Sequence, residues 1–152
     1  MEETFRNEEL TIVDSLVQLS FQVQAVLARA GAEHDLSIIQ IRLLGILRDR
    51  EPSMQQLAQH LRLDKSSITG LIDRAERRGL VERVASPHDR RGFLVKVTAE
   101  GWRLIDTVGG EIVRQIEDMA QVLPEEERLQ FAKMAAKMLA YSGQQSPDAK
   151  IT

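Results

Sequence analysis

Apolar positions fall into helical stripes along most of the chain. From Glu8 to Ala30 they recur at Leu10, Val13, Leu16, Val17, Phe21, Val23, Val26, Leu27 and Ala30, with no internal Gly or Pro. This predicts a long first helix whose stripe needs a partner. Gly31 to Leu36 reads as a connector, and Ser37 as the cap of a second helix, Ile38 to Asp49, apolar on most sides and so central in the core. Glu51-Pro52 breaks the chain. Ser53-Met54-Gln55-Gln56 then has capping-box spacing and opens a third helix through His60, with Leu57, Ala58 and Leu61 inward. After Arg62-Leu63, Asp64 caps a fourth helix with Ile68, Leu71, Ile72 and Ala75 as its buried stripe and Gly79 as its stop. Two β-like runs follow, Leu80 to Val84 and Phe93 to Val97, joined by the turn formers of Ala85 to Gly92. Thr98 caps a helix to about Val122, marked by Trp102, Ile105, Val108, Ile112, Ile116 and Met119. Gly109-Gly110 within it costs about 1 kcal/mol per glycine relative to alanine, which predicts a bend or a close helix contact. Pro124 suits N1 of a last helix, with Glu125, Glu126 and Glu127 in its first turn and Leu129, Ala132, Ala135, Ala136 and Leu139 as its stripe. Ser142 to Thr152 reads as a disordered tail.

Two short helices joined by a tight turn, then a β-hairpin, make a winged helix-turn-helix. The expected fold is mainly α with a small β-hairpin wing. Its domains are an N-terminal dimerisation helix (1–35), a winged DNA-binding lobe (36–98), C-terminal dimerisation helices (99–141) and the tail (142–152). The outer helices carry more apolar surface than one small lobe can cover, which implies a two-fold dimer. Its two reading helices would address half-sites about one helical turn (~10 bp) apart.

Charge sharpens this picture. The net charge is −3, so the chain is no generic polycation, yet His60 to Arg91 holds eight basic residues against five acidic ones, a local +3 between acidic flanks. The absence of cysteine excludes disulfides, zinc fingers and thiol switches. Apolar runs fall short of the ~20 residues that span a bilayer, and the acidic start is no signal peptide, so a soluble, cytoplasmic protein is expected. His34, His60 and His88 lack ligand-like spacing, and no metal or cofactor is expected. Without paired carboxylates in an apolar setting, a nucleophile elbow or a phosphate loop, an enzyme is not expected either.

The outer face of the fourth helix carries Lys65, Ser66, Thr69, Asp73, Arg74 and Arg77, and the hairpin ends in Asp89-Arg90-Arg91. Small polar and basic groups on one helix suit a major groove, and an arginine-tipped hairpin suits backbone or minor groove. Each feature also has a plainer reading. Ser67, at N3, can simply decorate the helix start, and the Arg90-Arg91 pair can be a solvated turn. Asp73 would repel phosphate and is better placed in an ion pair with Arg74, Arg77 or a wing arginine, holding helix and wing in register. Arg83 suits bracing of the wing base. Trp102 fits core or dimer packing as well as a ligand wall, and His34 fits a surface position as well as a ligand contact.

The sequence closely resembles the MarR family of bacterial transcriptional regulators. The resemblance is carried by Ile68-Thr69, Leu71-Ile72-Asp73-Arg74, Glu76 to Arg83, Pro87 to Gly92 and Val97-Thr98, with Glu100-Gly101 after them. It implies a homodimer that binds a palindromic operator, usually repressing nearby genes, and in many members lets go when a small aromatic acid or phenol enters a cleft beside the DNA-binding lobe. Carried over by position, Ser66, Ser67, Thr69, Arg74 and Arg77 face DNA, Ser53 and Gln55 assist, Arg90 or Arg91 enters the minor groove, and Asp89 steadies the arginines. Phe21, His34, Ile41 and Trp102 would line the ligand cleft. Many members have arginine after the threonine matching Thr69, where this chain has Gly70. A rival function is a winged helix that docks an acidic protein partner without specific DNA binding.

Overall fold

The way the helices stop decides how the chain turns. In the computed structural model, which describes residues 9–144, positive φ occurs among the described residues at Asp35 (54°), Arg62 (54°) and Gly79 (73°). Each lets the next backbone N–H fold back onto a helical carbonyl: Leu36 to Gly31 at 2.9 Å, Leu63 to Ala58 at 2.9 Å and Leu80 to Ala75 at 3.0 Å. These are Schellman-type stops. Only Gly79 adopts this conformation without a steric penalty.

The chain divides into two compact units, residues 1–114 and 115–152. The first contains α1 (Ile12–Ala32), α2 (Ile38–Leu47), α3 (Met54–Leu61), α4 (Lys65–Arg77), β1 (Val81–Ala85), β2 (Phe93–Val97) and most of α5 (Ala99–Ala120); the second contains the end of α5 and α6 (Glu125–Gln144). The architecture is mainly helical with a two-stranded antiparallel hairpin, in register from Val81 opposite Val97 to Ala85 opposite Phe93. Main chain at Pro52 and Ser53 extends the hairpin, since Val95 N–H donates to the Pro52 carbonyl (2.9 Å) and Ser53 bridges Leu94.

Fully buried Leu43, Leu57, Leu71, Ile72 and Val95 come from α2, α3, α4 and β2, so every part of the winged lobe contributes to one core. Burial of each such side chain stabilises the fold by about 1.5–3 kcal/mol. Ala30 of α1 and Val108 of α5 join the same cluster. Two glycines permit close crossings at the lobe's edges. A Cβ on Gly31 would lie 2.5 Å from the Leu36 carbonyl oxygen, and one on Gly101 would lie 2.1 Å from that of Leu80. Thr98 closes the second crossing by donating its hydroxyl to the Gly79 carbonyl (2.5 Å) while accepting from Gly101 N–H (3.1 Å).

Several boundaries differ from the sequence expectation. The first helix starts at Ile12 rather than Glu8, because the Thr11 hydroxyl accepts from Asp14 N–H at 3.1 Å and caps it there. It continues through Gly31 and Ala32, and α2 ends at Leu47 rather than Asp49. Leu80 belongs to the stop of α4, which delays the strand to Val81. The helix after Thr98 ends at Ala120 rather than Val122. It runs unbroken through Gly109-Gly110, and among the described residues a Cβ at either would meet nothing within 4 Å, so no close contact among them explains these glycines. Pro124 precedes α6 and supplies the carbonyl for Arg128 N–H (3.1 Å), taking the cap position instead of N1. The expected tail from Ser142 is helical as far as Gln144; its remainder lies outside the described residues.

Candidate nucleic-acid interface

Helix α4 begins at a tightly used carboxylate. Asp64 Oδ1 accepts from Ser67 N–H at 2.7 Å and from the Ser66 hydroxyl at 3.0 Å. The Ser67 N–H, the Ser67 hydroxyl and then the Ser66 hydroxyl hold its pKa below the ordinary carboxylate value. The buried stripe of Ile68, Leu71, Ile72 and Ala75 fixes the helix's rotation and leaves Lys65, Ser66, Ser67, Thr69, Arg74 and Arg77 exposed on the other side. The Thr69 hydroxyl donates to the Lys65 carbonyl (2.8 Å) and so stays on its own helix. Arg77 Nε leans on the Asp73 carbonyl at 3.4 Å.

Asp73 is paired neither with Arg74 nor with Arg77. It meets Arg83 of β1, whose Nη2 donates to Asp73 Oδ1 at 2.7 Å while Nη1 bonds Glu76 Oε1. One guanidinium thus spans two carboxylates a helical turn apart and ties α4 to the hairpin. Burial works against the Arg83 charge, but the hydrogen bonds it donates to Asp73 and then Glu76 outweigh it and raise the pKa above the ordinary value. Glu76 was not singled out from sequence, although it shares a helix face with Asp73 at i+3.

At the hairpin tip, Asp89 Oδ1 accepts from Arg91 N–H at 3.0 Å, and Gly92 N–H donates to the Asp89 carbonyl at 3.1 Å. Asp89 therefore steadies the main chain of the turn, and the Arg90 and Arg91 side chains are exposed. On α3 the Ser53 hydroxyl accepts from Gln56 N–H (3.2 Å), with Gln56 reaching back to Ser53 N–H (3.0 Å), so Ser53 is occupied as a cap while Gln55 is exposed. Sequence reasoning also missed Arg78. Its guanidinium donates to the carbonyls of Asp35 (2.7 Å) and His34 (2.9 Å), strapping the end of α4 to the α1–α2 corner. No spacing rule reveals a contact over 43 residues.

A separate cavity of about 200 Å³ opens between α1, α2 and α5, lined by Leu27, Leu36, Ile41, Leu44, Arg48, Ile105 and Val108 among others. Of the residues expected at a ligand cleft, Ile41 lines this cavity; Phe21, His34 and Trp102 are not among its lining side chains. Phe21 is 65% exposed and Trp102 40% exposed, and Ile105, nearly one turn on, takes the place expected for Trp102. Arg48 at this cavity pairs with Asp49 at 3.1 Å. Among the described residues no group of His, Asp or Glu side chains is arranged to hold a metal ion, and no helix is long and apolar enough to cross a membrane.

A family model described as MarR family matches residues 34–92, the span from the α1–α2 corner to the wing tip. The transcriptional regulator MhqR of Bacillus subtilis is 30% identical over 112 residues, covering 73% of this chain and 74% of MhqR. The transcriptional repressor NicR of Pseudomonas putida is 31% identical over 117 residues, covering 76% and 73% respectively. The chain belongs to the MarR family. Its relatives are helix-turn-helix transcriptional regulators, and it carries the DNA-binding winged helix of the MarR family over the elements described above. The crystal structure of CouR from Rhodococcus jostii RHA1 bound to p-coumaroyl-CoA is 26% identical and superposes with a TM-score of 0.73 over 84% of this chain and 90% of that one.

Proposed function

We propose that this MarR-family chain is a homodimeric, sequence-specific repressor of nearby genes, acting in the cytoplasm and released from its operator by a small aromatic or phenolic ligand. The observation that carries the DNA reading is the disposition of charge. The acids Asp64, Asp73, Glu76 and Asp89 are engaged with their own helix, Arg83 or the wing turn. The outward cations Lys65, Arg74, Arg77, Arg90 and Arg91 make no ion pair among the described residues. Such a surface attracts phosphate and offers guanidinium forks to guanine edges. In this reading Ser66, Ser67, Thr69, Arg74 and Arg77 enter the major groove, Gln55 and the backbone near Ser53 assist, and Arg90 or Arg91 reaches the minor groove.

Uncovered apolar side chains support the dimer. Ile12, Val13, Leu16, Val17 and Phe21 on α1 are exposed, and so, in the other unit, are Leu129, Phe131, Met134, Met138, Leu139 and Tyr141 on α6. The ligand reading rests on the apolar cavity with Arg48 beside it, a guanidinium that can exchange Asp49 for a ligand carboxylate. NicR, a repressor by name, and the p-coumaroyl-CoA complex of CouR support the repressor and ligand parts.

The test is selection of bound sequences from a random duplex pool with the purified full chain at near-physiological salt. Recovery of one palindrome with half-site centres about ten base pairs apart, preferred over random DNA by ~10³ or more, supports the proposal. No enrichment rejects it in favour of a protein-docking winged helix.

A further inference from the structure

Helix α4 carries one glycine, Gly70, in its middle and on its outward side. Glycine inside a helix is costly, so the position calls for a reason. Close backbone packing is not that reason. Beyond its chain neighbours and its own helix backbone, a Cβ built on Gly70 would come within 4 Å of one described residue, Arg74, at 3.1 Å from Nη1 and 4.0 Å from Cζ. The Arg74 side chain therefore folds back one turn toward the start of the helix, the direction in which helical side chains lean, and rests over the bare backbone of Gly70. The Arg74 guanidinium has no hydrogen bond or ion pair among the described residues, unlike those of Arg78 and Arg83, so its full set of donors is available. Ser66, Ser67, Gly70 and Arg74 rim a hollow of about 270 Å³ with Leu63 and Leu71 among its walls.

We propose that Gly70 and Arg74 form one base-reading unit, in which the missing side chain at 70 makes room for the Arg74 guanidinium to lie in this hollow and present its fork to the O6 and N7 of a guanine in the major groove. Gly70 is the positioning residue and Arg74 the contact. A side chain at 70 fills the hollow and turns the guanidinium away. The proposal rests on the DNA-binding function above.

Gly70→Ala, Gly70→Leu, Arg74→Lys and Arg74→Ala, and Gly70→Leu combined with Arg74→Ala, are compared with the wild-type full chain. For each, affinity is measured for the selected operator and for operators changed at one base pair per half-site, beside the thermal midpoint. Gly70→Ala and Gly70→Leu keep or raise the midpoint, because both residues favour helix over glycine. Gly70→Leu lowers discrimination at a single G·C position by about tenfold or more, the scale of one lost bidentate contact, with Gly70→Ala intermediate. Arg74→Lys loses the same position, and Gly70→Leu adds no further loss there in the Arg74→Ala background. Unchanged discrimination in Gly70→Leu overturns the unit, as does an equal loss with or without Arg74, which would mean that glycine serves only close approach of backbone to DNA. A uniform loss at every position with a shallower salt dependence also overturns it, placing Arg74 on phosphate. Absence of any preferred sequence in the wild type instead rejects the DNA-reading function itself.

Discussion

Arg83 shows how a single side chain sets the geometry between two elements. Replacing it with alanine leaves the Asp73 and Glu76 carboxylates facing each other one turn apart with no cation between them. Both are partly solvated, so the loss is discounted to about 1–2 kcal/mol, a Tm lowered by a few degrees. Operator affinity should fall as the wing loosens while the oligomeric state holds; calorimetry and a binding titration check both. Asp64 makes a prediction about pH. Its folded pKa is lowered, so the unfolded chain binds the proton more readily, and the cap's contribution is complete above the ordinary carboxylate pKa of about 4 and is lost as pH falls through the lower folded value. Asparagine caps almost as well but does not titrate. The Tm difference between wild type and Asp64→Asn should be flat above about pH 5 and should change below pH 4; a flat difference throughout would remove the proton linkage. In the clamp, a wing arginine for Asp73 and the bracing role of Arg83 were legible in the sequence as one alternative among three, but Glu76 as the second partner was not. Asp73 and Arg77 have the i,i+4 spacing of a helix pair, yet Arg83, half-buried at the wing base, reaches both acids at once, which spacing along one helix does not reveal.

At the scale of elements, periodicity and caps located each helix and strand among the described residues, because stripes such as Ile68, Leu71, Ile72 and Ala75 admit one period only. The ends were harder. A stop in the left-handed region announces itself as glycine at Gly79 but not at Asp35 or Arg62, where tertiary packing imposes the same conformation on residues that pay for it sterically. Arg62→Gly should relieve that strain and raise the midpoint by a few degrees in thermal unfolding. The wing has its own test. Arg90→Ala with Arg91→Ala should weaken operator binding and flatten the slope of log affinity against log salt by up to about two units, with an unchanged dimer; an unaltered slope would keep the wing off phosphate.

The molecule as a whole leaves apolar surface that a single chain does not cover, and its assembly is testable without knowing the operator. Val13→Glu with Val17→Glu, on the exposed face of α1, should shift sedimentation from twice the chain mass toward the chain mass at micromolar concentration, with helical content retained. Wild-type chain that already sediments as a monomer would remove the dimer from the proposal. The cavity was the least legible feature. Its region could be anticipated, and Ile41 lies on its wall, but the remaining walls combine Leu36, Leu44 and Arg48 with faces of α1 and α5 that tertiary packing rather than any motif turns inward.

The crossings at Gly31 and Gly101 bear on how such a protein can change over generations. Both stand where the winged lobe meets a flanking helix, and neither has space for even a methyl group. Gly70, Ser66 and Arg74, by contrast, border open space. Drift is therefore cheap on the outer face of α4 and nearly forbidden at the joints. Under the proposed function, a lineage built on this scaffold can rewrite which bases it recognises while inheriting, almost unaltered, the distance at which it recognises them.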